Sequence, residues 1–293
     1  MVSSTPDNRT LTRPSNLDEL VAAALSEDLG GELVDGDVTT RFVVDAELIG
    51  EARLIAKSAG VLSGVEVAAR VFQTVQPPCR YVALLRDGAH LEPGDEIARV
   101  EGPLGSILTA ERTALNFLQR LSGIATVTRR YADALAAYPN VTLLDTRKTT
   151  PGLRSLERAA VRAGGGHNHR DGLWDAILIK DNHVAAAGGV TEAIERARRA
   201  RMPIEVEVDT LEQLDEALAA GAEMILLDNM PADLMRRGVE MTAGRARLEA
   251  SGGMTLEGAV AAAKAGVDRI SVGALTHSAP ALDLSLEVIK TWR

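Results

Sequence analysis

Short apolar runs alternate with longer helical segments along the second half of the chain. The runs have the length of strands and show no strict alternation of polar and apolar positions, which indicates strands that helices cover on both faces. The segments between them are rich in Ala, Leu, Arg and Glu. This repetition predicts a parallel sheet, either doubly wound or closed into a barrel. The predicted strands are Val141–Asp145, Ala176–Ile179, Ile204–Val208, Met224–Leu227, Arg247–Ala250 and Arg269–Val272, and the predicted helices are Leu153–Ala163, Thr191–Ala200, Leu211–Ala220, Ala232–Thr242 and Leu256–Ala265.

The residues that follow the strands favour the barrel. A doubly wound dinucleotide fold carries a glycine-rich turn after its first strand, whereas Thr146–Pro151 follows Val141–Asp145 here. In an α/β barrel, functional residues gather at the carboxyl ends of several strands. Polar or glycine residues stand at six such ends, and they are Asp145, Arg147, Lys180, Asp181, Glu207, Asp209, Asp228, Asn229, Ser251, Gly252, Gly253 and Gly273. We therefore predict a TIM-like α/β barrel, which can be incomplete.

The first half of the chain has a mixed pattern, typical of a small α+β layer. A long helical stretch, Thr109–Tyr138, follows it, and Ser122-Gly123 predicts a break within that stretch. The predicted organisation is a flexible tail at 1–16, an α+β domain at 17–122, a catalytic barrel at 123–277, and a segment at 278–293 that packs on the N-terminal domain. The predicted elements of the layer are helices at Leu17–Leu29 and Val65–Val75, strands at Glu51–Lys57 and Arg80–Arg86, and a turn at Pro93–Asp95.

Composition narrows the classes of function. A net charge of -9 argues against non-specific binding to nucleic acid, which requires a basic face. The single cysteine, Cys79, excludes an internal disulfide and suits a reducing compartment. No uncharged apolar run approaches the roughly 18 residues of a membrane helix. We expect a cytoplasmic protein without a membrane partner.

The window from Asp145 to His183 reverses the charge of the chain, with seven cationic and five acidic side chains. Such a reversal indicates an anionic ligand. Arg154, Arg158 and Arg162 have i, i+4 spacing, which favours decoration of one helix face. The other four cations lie at strand ends or in glycine-rich loops, where we expect ligand contacts. They are Arg147, Lys148, Arg170 and Lys180.

Three further groups suggest ligands. Ser251–Gly253 and Val272–Ala274 end consecutive strands, and barrels often bind phosphate there through backbone N–H groups. Glu207 and Asp228 end adjacent strands, where carboxylates can bind ribose hydroxyls or Mg²⁺, or hold a Lys or Arg side chain. His167-x-His169 could hold zinc, but the adjacent Arg170 would oppose a metal ion.

Long motifs in this chain resemble the quinolinate phosphoribosyltransferase family. The resemblance runs from about Leu17 to the C-terminus, and its one visible departure is a longer loop at Gly30–Asp37. The motifs are Thr146–Gly152, Gly164–Arg170, Ile179–His183, Glu205–Val208 and Leu226–Asn229.

The resemblance implies a reaction and a set of roles. Quinolinate and phosphoribosyl pyrophosphate would give nicotinate mononucleotide, pyrophosphate and carbon dioxide, with Mg²⁺ as cofactor. Arg112 would come from the neighbouring subunit of a homodimer. The quinolinate carboxylates would meet Arg147, His169, Arg170 and Lys180, with Thr146 beside them. The ribose, pyrophosphate and metal would meet Lys148, Glu207 and Asp228. The 5′-phosphate would meet Ser251, Gly252, Gly253, Val272, Gly273 and Ala274.

Three alternatives stay open from the sequence. A related branch associated with molybdenum metabolism shares the phosphate cradle and could use another substrate. A zinc-dependent barrel hydrolase would use His167 and His169. A phosphate-binding barrel without catalysis would use only the glycine loops.

Overall fold

The computed structural model of the protein describes residues 17–31 and 36–293. The predicted tail, 1–16, and residues 32–35 of the loop Gly30–Asp37 lie outside the described residues. The described helices include none that is long and apolar enough to cross a membrane. The chain divides into two compact units, one of Met1–Gly123, Pro151–Leu156 and Ala281–Arg293 and the other of Ile124–Thr150 and Glu157–Pro280.

The first unit is built on a four-stranded sheet. Its strand order is β12-β1-β5-β3, and its pairs are antiparallel. Alternate side chains of β1 are buried, which is what a sheet with one face on the core requires. The elements are α1 (Leu17–Asp28), α2 (Val38–Val43), β1 (Ile49–Ala56), β2 (Gly60–Val61), α3 (Val65–Thr74), β3 (Arg80–Ala83), β4 (His90–Leu91), β5 (Glu96–Pro103), the start of α4 (Leu104–Ala134) and β12 (Leu284–Trp292).

The C-terminal segment completes this sheet as a strand. β12 pairs with β1 from Ala56 opposite Leu284 to Ile49 opposite Trp292. Gln119 fixes the start of the strand, because its side-chain amide donates to the Leu284 carbonyl at 2.9 Å. The prediction that the tail completes the N-terminal layer is confirmed.

The predicted break in the long helix is wrong. α4 runs without interruption from Leu104 to Ala134, past Ser122 and Gly123. A serine can end a helix when its hydroxyl bonds to the local backbone. The buried Ser122 hydroxyl also accepts the Ser63 N–H at 3.0 Å and donates to the Ser63 carbonyl at 3.2 Å, so a residue distant in sequence engages it. Tertiary bonding therefore removes the signal for a break.

The second unit repeats strand and helix. α8 and α10 begin where the side chains of Thr210 and Thr255 accept backbone N–H groups of the first turn. The short helix α6 was not predicted, although two glycines mark its end at Gly188 and Gly189. The elements are β6 (Thr142–Leu144), α5 (Arg154–Ala163), β7 (Ile177–Ile179), α6 (Asp181–Ala187), α7 (Val190–Ala197), β8 (Ile204–Val208), α8 (Leu211–Ala219), β9 (Met224–Asp228), α9 (Ala232–Thr242), β10 (Arg247–Ser251), α10 (Leu256–Ala265), β11 (Arg269–Ser271) and α11 (Ala274–His277).

The strand order of this unit is that of an incomplete barrel. The six-stranded parallel sheet has the order β6-β11-β10-β9-β8-β7, so the first strand lies beside the last. In a doubly wound sheet, the first strand would instead lie in the interior, and the chain would add later strands toward both edges. On the free edge of β6, Leu144 forms a single parallel bridge with His167. The predicted α/β barrel is confirmed, with its circle of paired strands open between β6 and β7 in the part of the chain described.

One face of several strands is polar, contrary to the expectation of strands without alternation. β9 fits that expectation, since its three central residues are all buried and apolar. β8 does not, because Glu205 and Glu207 alternate with Val206 and Val208. Period-two alternation places the two acids on the same face of the sheet. The polar faces of these strands carry the candidate site.

Candidate active site at the carboxyl ends of the strands

A cavity of about 490 Å³ lies within the second unit, at the carboxyl ends of its strands. The cavity is lined by polar and charged residues together with apolar Leu178 and Leu226. The lining includes eleven of the site residues predicted from the sequence. They are Thr146, Arg147, Lys148, His169, Arg170, Lys180, Glu207, Asp228, and the Ser251–Gly253 loop with its two glycines Gly252 and Gly253.

Two arginines, Arg147 and Arg170, contribute positive charge to the cavity. Burial and the neighbouring charge of Arg147 lower the pKa of Arg170, so the two guanidinium groups feel each other's charge. One Arg170 nitrogen, Nη1, donates to the Ala176 carbonyl at 3.0 Å. The Nε of Arg147 is buried without a hydrogen-bond partner among the described residues. Two close cations of this kind suit a ligand with two negative charges.

The His169 ring uses both of its nitrogens inside the protein. Nδ1 accepts the Arg170 N–H at 2.7 Å. Nε2 lies 3.1 Å from Glu205 Oε2 and 3.3 Å from Glu249 Oε1. Because Nδ1 accepts a bond, the ring proton is assigned to Nε2, where it faces the two carboxylates.

The charges around this ring act in opposite directions. Burial alone would lower the pKa of His169, but the hydrogen bonds to Glu205 and Glu249 raise it to about 9. A second ring proton would have to occupy Nδ1 and would break the bond from the Arg170 N–H. The hydrogen bond at Nδ1 therefore belongs to the neutral ring, whereas the two carboxylates favour the charged ring, so the two sets of contacts act on the ring in opposite directions.

Arg158 is part of the support of this loop, not the surface decoration that its helical spacing suggested. Its side chain is 8% exposed. Its guanidinium donates to the His169 carbonyl at 2.7 Å and to the Arg170 carbonyl at 2.8 Å. The i, i+4 spacing identified one helix face correctly, but that face of α5 is buried at Arg158.

Asp145 holds the other side of the same backbone. It is fully buried and accepts the His169 N–H at 2.7 Å and the Asn168 side-chain amide at 2.5 Å. Burial raises the pKa of Asp145, while these bonds and the charge of Arg158 lower it. The backbone between residues 168 and 170 is thus fixed by charged groups of both signs.

Lys180, Glu207 and Asp228 form the part of the site that could meet ribose or a metal ion. Lys180 Nζ lies 2.6 Å from Glu207 Oε2. Asp228 Oδ2 accepts the side-chain amide of Asn229 at 2.7 Å. Glu207 is therefore already paired with a cation, which is the third of the roles predicted for this pair of carboxylates, whereas the Asp228 carboxylate contacts a neutral amide.

The first glycine loop leaves open space. Gly252 has φ +93°, and a Cβ atom there would lie 2.2 Å from Asn229 Oδ1, so only glycine fits. Gly253 has φ +50°, and no atom of the described structure lies within 4 Å of the position of its missing Cβ. Backbone with this conformation beside an empty volume is suited to an anion.

The second glycine loop contacts Lys148. A Cβ at Gly273 would lie 3.0 Å from Lys148 Cδ, so the lysine side chain crosses this glycine. The Thr276 hydroxyl donates to the Lys148 carbonyl at 2.9 Å and fixes its backbone. Val272 is buried, and Ala274 begins α11. Gly273, Val272 and Ala274 thus lie beside the cavity lining through Lys148.

Arg112 and His167 are not among the residues that line this cavity. Arg112 is an exposed residue of α4 in the first unit. His167 is exposed, and the only described group of His, Cys, Asp and Glu that could hold a metal consists of His169, Glu205 and Glu249. The geometry therefore does not join His167 and His169 in a zinc site.

The sequence analysis missed Glu249 and gave Glu205 no role of its own. Glu249 is a single acid within a predicted apolar strand, and its side chain is fully buried. Arg269 stands opposite it on β11, with its Nε 3.2 Å from Glu249 Oε2. An acid inside a strand that otherwise reads as buried was the available signal, since buried charges are paired.

Fold and site together define an α/β-barrel protein with a cavity lined by cationic side chains at the carboxyl ends of its strands. Sequence models of the quinolinate phosphoribosyl transferase N-terminal domain and C-terminal domain match residues 37–122 and 124–287. The chain therefore belongs to the quinolinate phosphoribosyl transferase family.

Individual relatives agree with this membership. The chain is 46% identical over 277 residues to nicotinate-nucleotide pyrophosphorylase (carboxylating) of Mycobacterium leprae, which covers 92% of this chain and 96% of that protein. The structure of nicotinate-nucleotide pyrophosphorylase from Francisella tularensis has a TM-score of 0.88 at 40% identity and covers 95% of this chain and 98% of the other. NadC from Streptococcus pyogenes has a TM-score of 0.87 at 41% identity, covering 96% and 100%. These matches do not support the molybdenum-related or zinc hydrolase alternatives.

Proposed function

We propose that the protein transfers the phosphoribosyl group of phosphoribosyl pyrophosphate to quinolinate and releases pyrophosphate and carbon dioxide. The product is nicotinate mononucleotide, a precursor in NAD biosynthesis. One observation carries this proposal in addition to family membership: a single cavity is lined both by Arg147 and Arg170, which feel each other's charge, and by the open glycine loop Ser251–Gly253. That arrangement suits a dicarboxylate and a phosphate bound side by side.

The dicarboxylate binds at the cationic side of the cavity. Arg147 and Arg170 each offer a planar guanidinium, which can form two parallel bonds to a carboxylate. Lys180 adds a third cation, and Thr146 lies beside Arg147. His169 supports this subsite by holding the Arg170 N–H.

The phosphoribosyl group extends from there to the glycine loops. The 5′-phosphate binds the backbone of Ser251–Gly253, with Lys148 and the Val272–Ala274 segment beside it. The ribose hydroxyls meet Glu207 and Asp228, which stand on the adjacent strands β8 and β9. Carboxylates at this place also face the positive charge that develops on C1 of the ribose.

Mg²⁺ is the expected cofactor. It prefers oxygen ligands and keeps several waters, commonly binding through one or two carboxylates and the substrate's phosphates. Asp228 fits that role, because its carboxylate contacts an amide and no cation in the described structure. Glu207 fits it less well while Lys180 Nζ stands at 2.6 Å. When bound, the ion would neutralise charge on the departing pyrophosphate.

The chemistry requires mainly positioning and electrostatics from the protein. The ring nitrogen of quinolinate bonds to C1 of the ribose as the bond from C1 to the pyrophosphate oxygen breaks, and that oxygen keeps the electron pair. The ring nitrogen then carries positive charge. The bond from C2 to its carboxylate breaks, carbon dioxide leaves, and C2 takes up a proton. Arg147 and Arg170 hold the dicarboxylate in line for the first step.

A substrate test decides the assignment. The protein is mixed with Mg²⁺, phosphoribosyl pyrophosphate and quinolinate, and the mixture is repeated with nicotinate in place of quinolinate. We expect nicotinate mononucleotide, pyrophosphate and carbon dioxide from quinolinate. Product from nicotinate but not from quinolinate would refute quinolinate as the substrate. Absence of pyrophosphate from both mixtures would indicate a barrel without this activity.

The arginine subsite has its own test. Arg147→Ala and Arg170→Ala each remove one preorganised charged donor, and we expect each to lower kcat/KM for quinolinate about 10²–10³-fold. Arg236→Met, on the exposed side of α9, serves as the control. Near-normal turnover in either cavity variant would show that the guanidinium groups do not clamp the dicarboxylate.

We also propose a homodimer in which Arg112 reaches the cavity of the neighbouring subunit. Its support is the resemblance of the segment Ala110–Asn116 to the family and the exposure of Arg112. Inactive Arg112→Ala and Arg147→Ala proteins are mixed after subunit exchange. Half of the dimers then hold one complete site, so about a quarter of normal activity should return. No recovery would contradict a shared site. The cytoplasmic location expected from the sequence stays a prediction.

A further inference from the structure

A buried cluster of two acids, an arginine and a histidine lies beside the arginine subsite. It consists of His169, Glu205, Glu249 and Arg269, and we call it the His169 cluster. Glu205 and Glu249 are 5% and 0% exposed. They stand on β8 and β10, on either side of β9. Two acids this deeply buried are costly unless they serve a defined arrangement.

The close contacts of the cluster converge on the His169 ring. Both acids face the His169 Nε2, at 3.1 and 3.3 Å, and the opposite ring nitrogen accepts the Arg170 N–H. The ring is thus held along the line from the two acids to the backbone of Arg170. With both nitrogens engaged, the ring has none left for a substrate carboxylate. Its effect on a ligand must pass through Arg170.

Binding of a metal ion explains the arrangement of the same groups less well. The ligand atoms of His169, Glu205 and Glu249 lie close enough together to hold one. However, the Arg269 Nε already lies 3.2 Å from Glu249 and supplies positive charge there. The neighbouring guanidinium groups of Arg147 and Arg170 would repel a further cation.

We propose that Glu205 and Glu249 are positioning residues that act through the His169 ring to fix the Arg170 guanidinium against the carboxylates of the first substrate. This rests on the proposed function, since it assigns a role toward quinolinate. The two acids hold the ring, the ring holds the Arg170 N–H, and the Ala176 carbonyl holds the far end of the same side chain at 3.0 Å. An arginine fixed at both ends loses less freedom when it binds.

A double-mutant cycle tests the route through Arg170. Glu249→Gln keeps the shape of the side chain and removes its charge, and it is made in the normal protein and in Arg170→Ala. Binding of quinolinate is measured by calorimetry. We expect Glu249→Gln to weaken binding about tenfold in the normal protein and less than about twofold in Arg170→Ala, because residues that act through one another are not additive. Equal weakening in both backgrounds, or none in either, would overturn the proposal.

Further variants separate positioning from a general loss of structure. Glu205→Gln should repeat the effect of Glu249→Gln, and Glu240→Gln, an exposed acid of α9, should have none. In steady-state assays, Glu249→Gln should raise KM for quinolinate and leave KM for phosphoribosyl pyrophosphate within about twofold. A parallel rise of both constants would indicate structural damage and contradict the proposal.

The proposed function can fail separately. If the normal protein does not bind quinolinate at all, the substrate assignment is wrong, and the His169 cluster has no dicarboxylate to position. If the normal protein binds and converts quinolinate but the effects of Glu249→Gln and Arg170→Ala are additive, the proposed function is supported and the positioning role is wrong. NMR signals of the His169 ring should change in Glu249→Gln, because the acid contacts the ring, and unchanged signals would contradict an action of the acid on the ring.

Discussion

Replacing Arg158 with methionine removes a buried guanidinium and keeps a long, flexible side chain in its place. Three bonds are lost: those to the carbonyls of His169 and Arg170, at 2.7 and 2.8 Å, and the ion pair with Asp171 at 2.6 Å. Arg158 Nε also lies 3.9 Å from the fully buried carboxylate of Asp145. The change therefore leaves polar groups of the active-site loop without a donor.

The size of the effect follows from these contacts. The Asp171 pair adds little, because that carboxylate is 58% exposed. The two carbonyls and the weakened compensation of Asp145 dominate, and loss of one partner from such a buried ionic group costs about 3–5 kcal/mol. For a unit of this size, each kcal/mol lowers Tm by about 2–4 °C. We expect the barrel unit of Arg158→Met to melt roughly 10 °C below the normal protein.

Differential scanning calorimetry is the suitable assay, because a chain of two compact units need not unfold in one two-state step. Arg236→Met makes the same chemical change on the exposed side of α9 and should alter Tm by no more than about 2 °C. If Arg158→Met melts together with this control, the guanidinium is not holding the loop, and the argument from burial is refuted.

Three further predictions concern other parts of the barrel. Gly253→Ala places a methyl group in the open space of the first glycine loop and should raise KM for phosphoribosyl pyrophosphate about tenfold, leaving KM for quinolinate unchanged in steady-state assays. Burial would raise the pKa of Asp175, but two backbone N–H groups of its own loop lower it below the ordinary 3.8. The stability that the ionised Asp175 contributes is therefore complete above pH 3.8 and is lost as the pH falls through the lowered pKa. In Asp175→Asn, the free energy of unfolding measured in urea should therefore decrease less steeply as the pH falls below 3.8. Arg269→Met leaves the buried Glu249 without its counter-charge and should lower the free energy of unfolding by about 3–5 kcal/mol in the same assay. The double variant Arg269→Met with Glu249→Gln should recover part of that loss, and no recovery would show that the two side chains are not coupled.

The sequence was sufficient for the architecture of the barrel because its signal is repeated. Each strand–helix unit presents the same pattern. An error at one boundary, such as the end of α7, therefore leaves the predicted architecture unchanged. The glycine loop at positions 252 and 253 could also be predicted from the sequence, because glycines between a barrel strand and the next helix are typical of a phosphate-binding loop. Break signals inside α4 were misleading because Ser122 finds its partner in a residue distant in sequence.

The supporting layer of the site could not be read in the same way. Helical spacing tells which residues share a face, but not whether that face meets solvent, so Arg158 looked like an exposed cation. Glu249 lies on a strand well separated in sequence from His169, and only the order of strands brings them within 3.3 Å. Local patterns carry no information about such partners.

The buried acids also explain how a chain of net charge -9 presents cations to a cavity. Guanidinium groups crowded together repel one another, which is why Arg147 lowers the pKa of Arg170. Glu207 lies on the cavity side and is paired with Lys180 at 2.6 Å, so it competes with an anionic ligand for that cation. Asp145 and Glu249 are fully buried, and each compensates positive charge from within the protein, although Glu249 also contributes to the cavity lining. The cations can then remain charged, ordered and directed toward the ligand, which is the arrangement that a preorganised anion site requires.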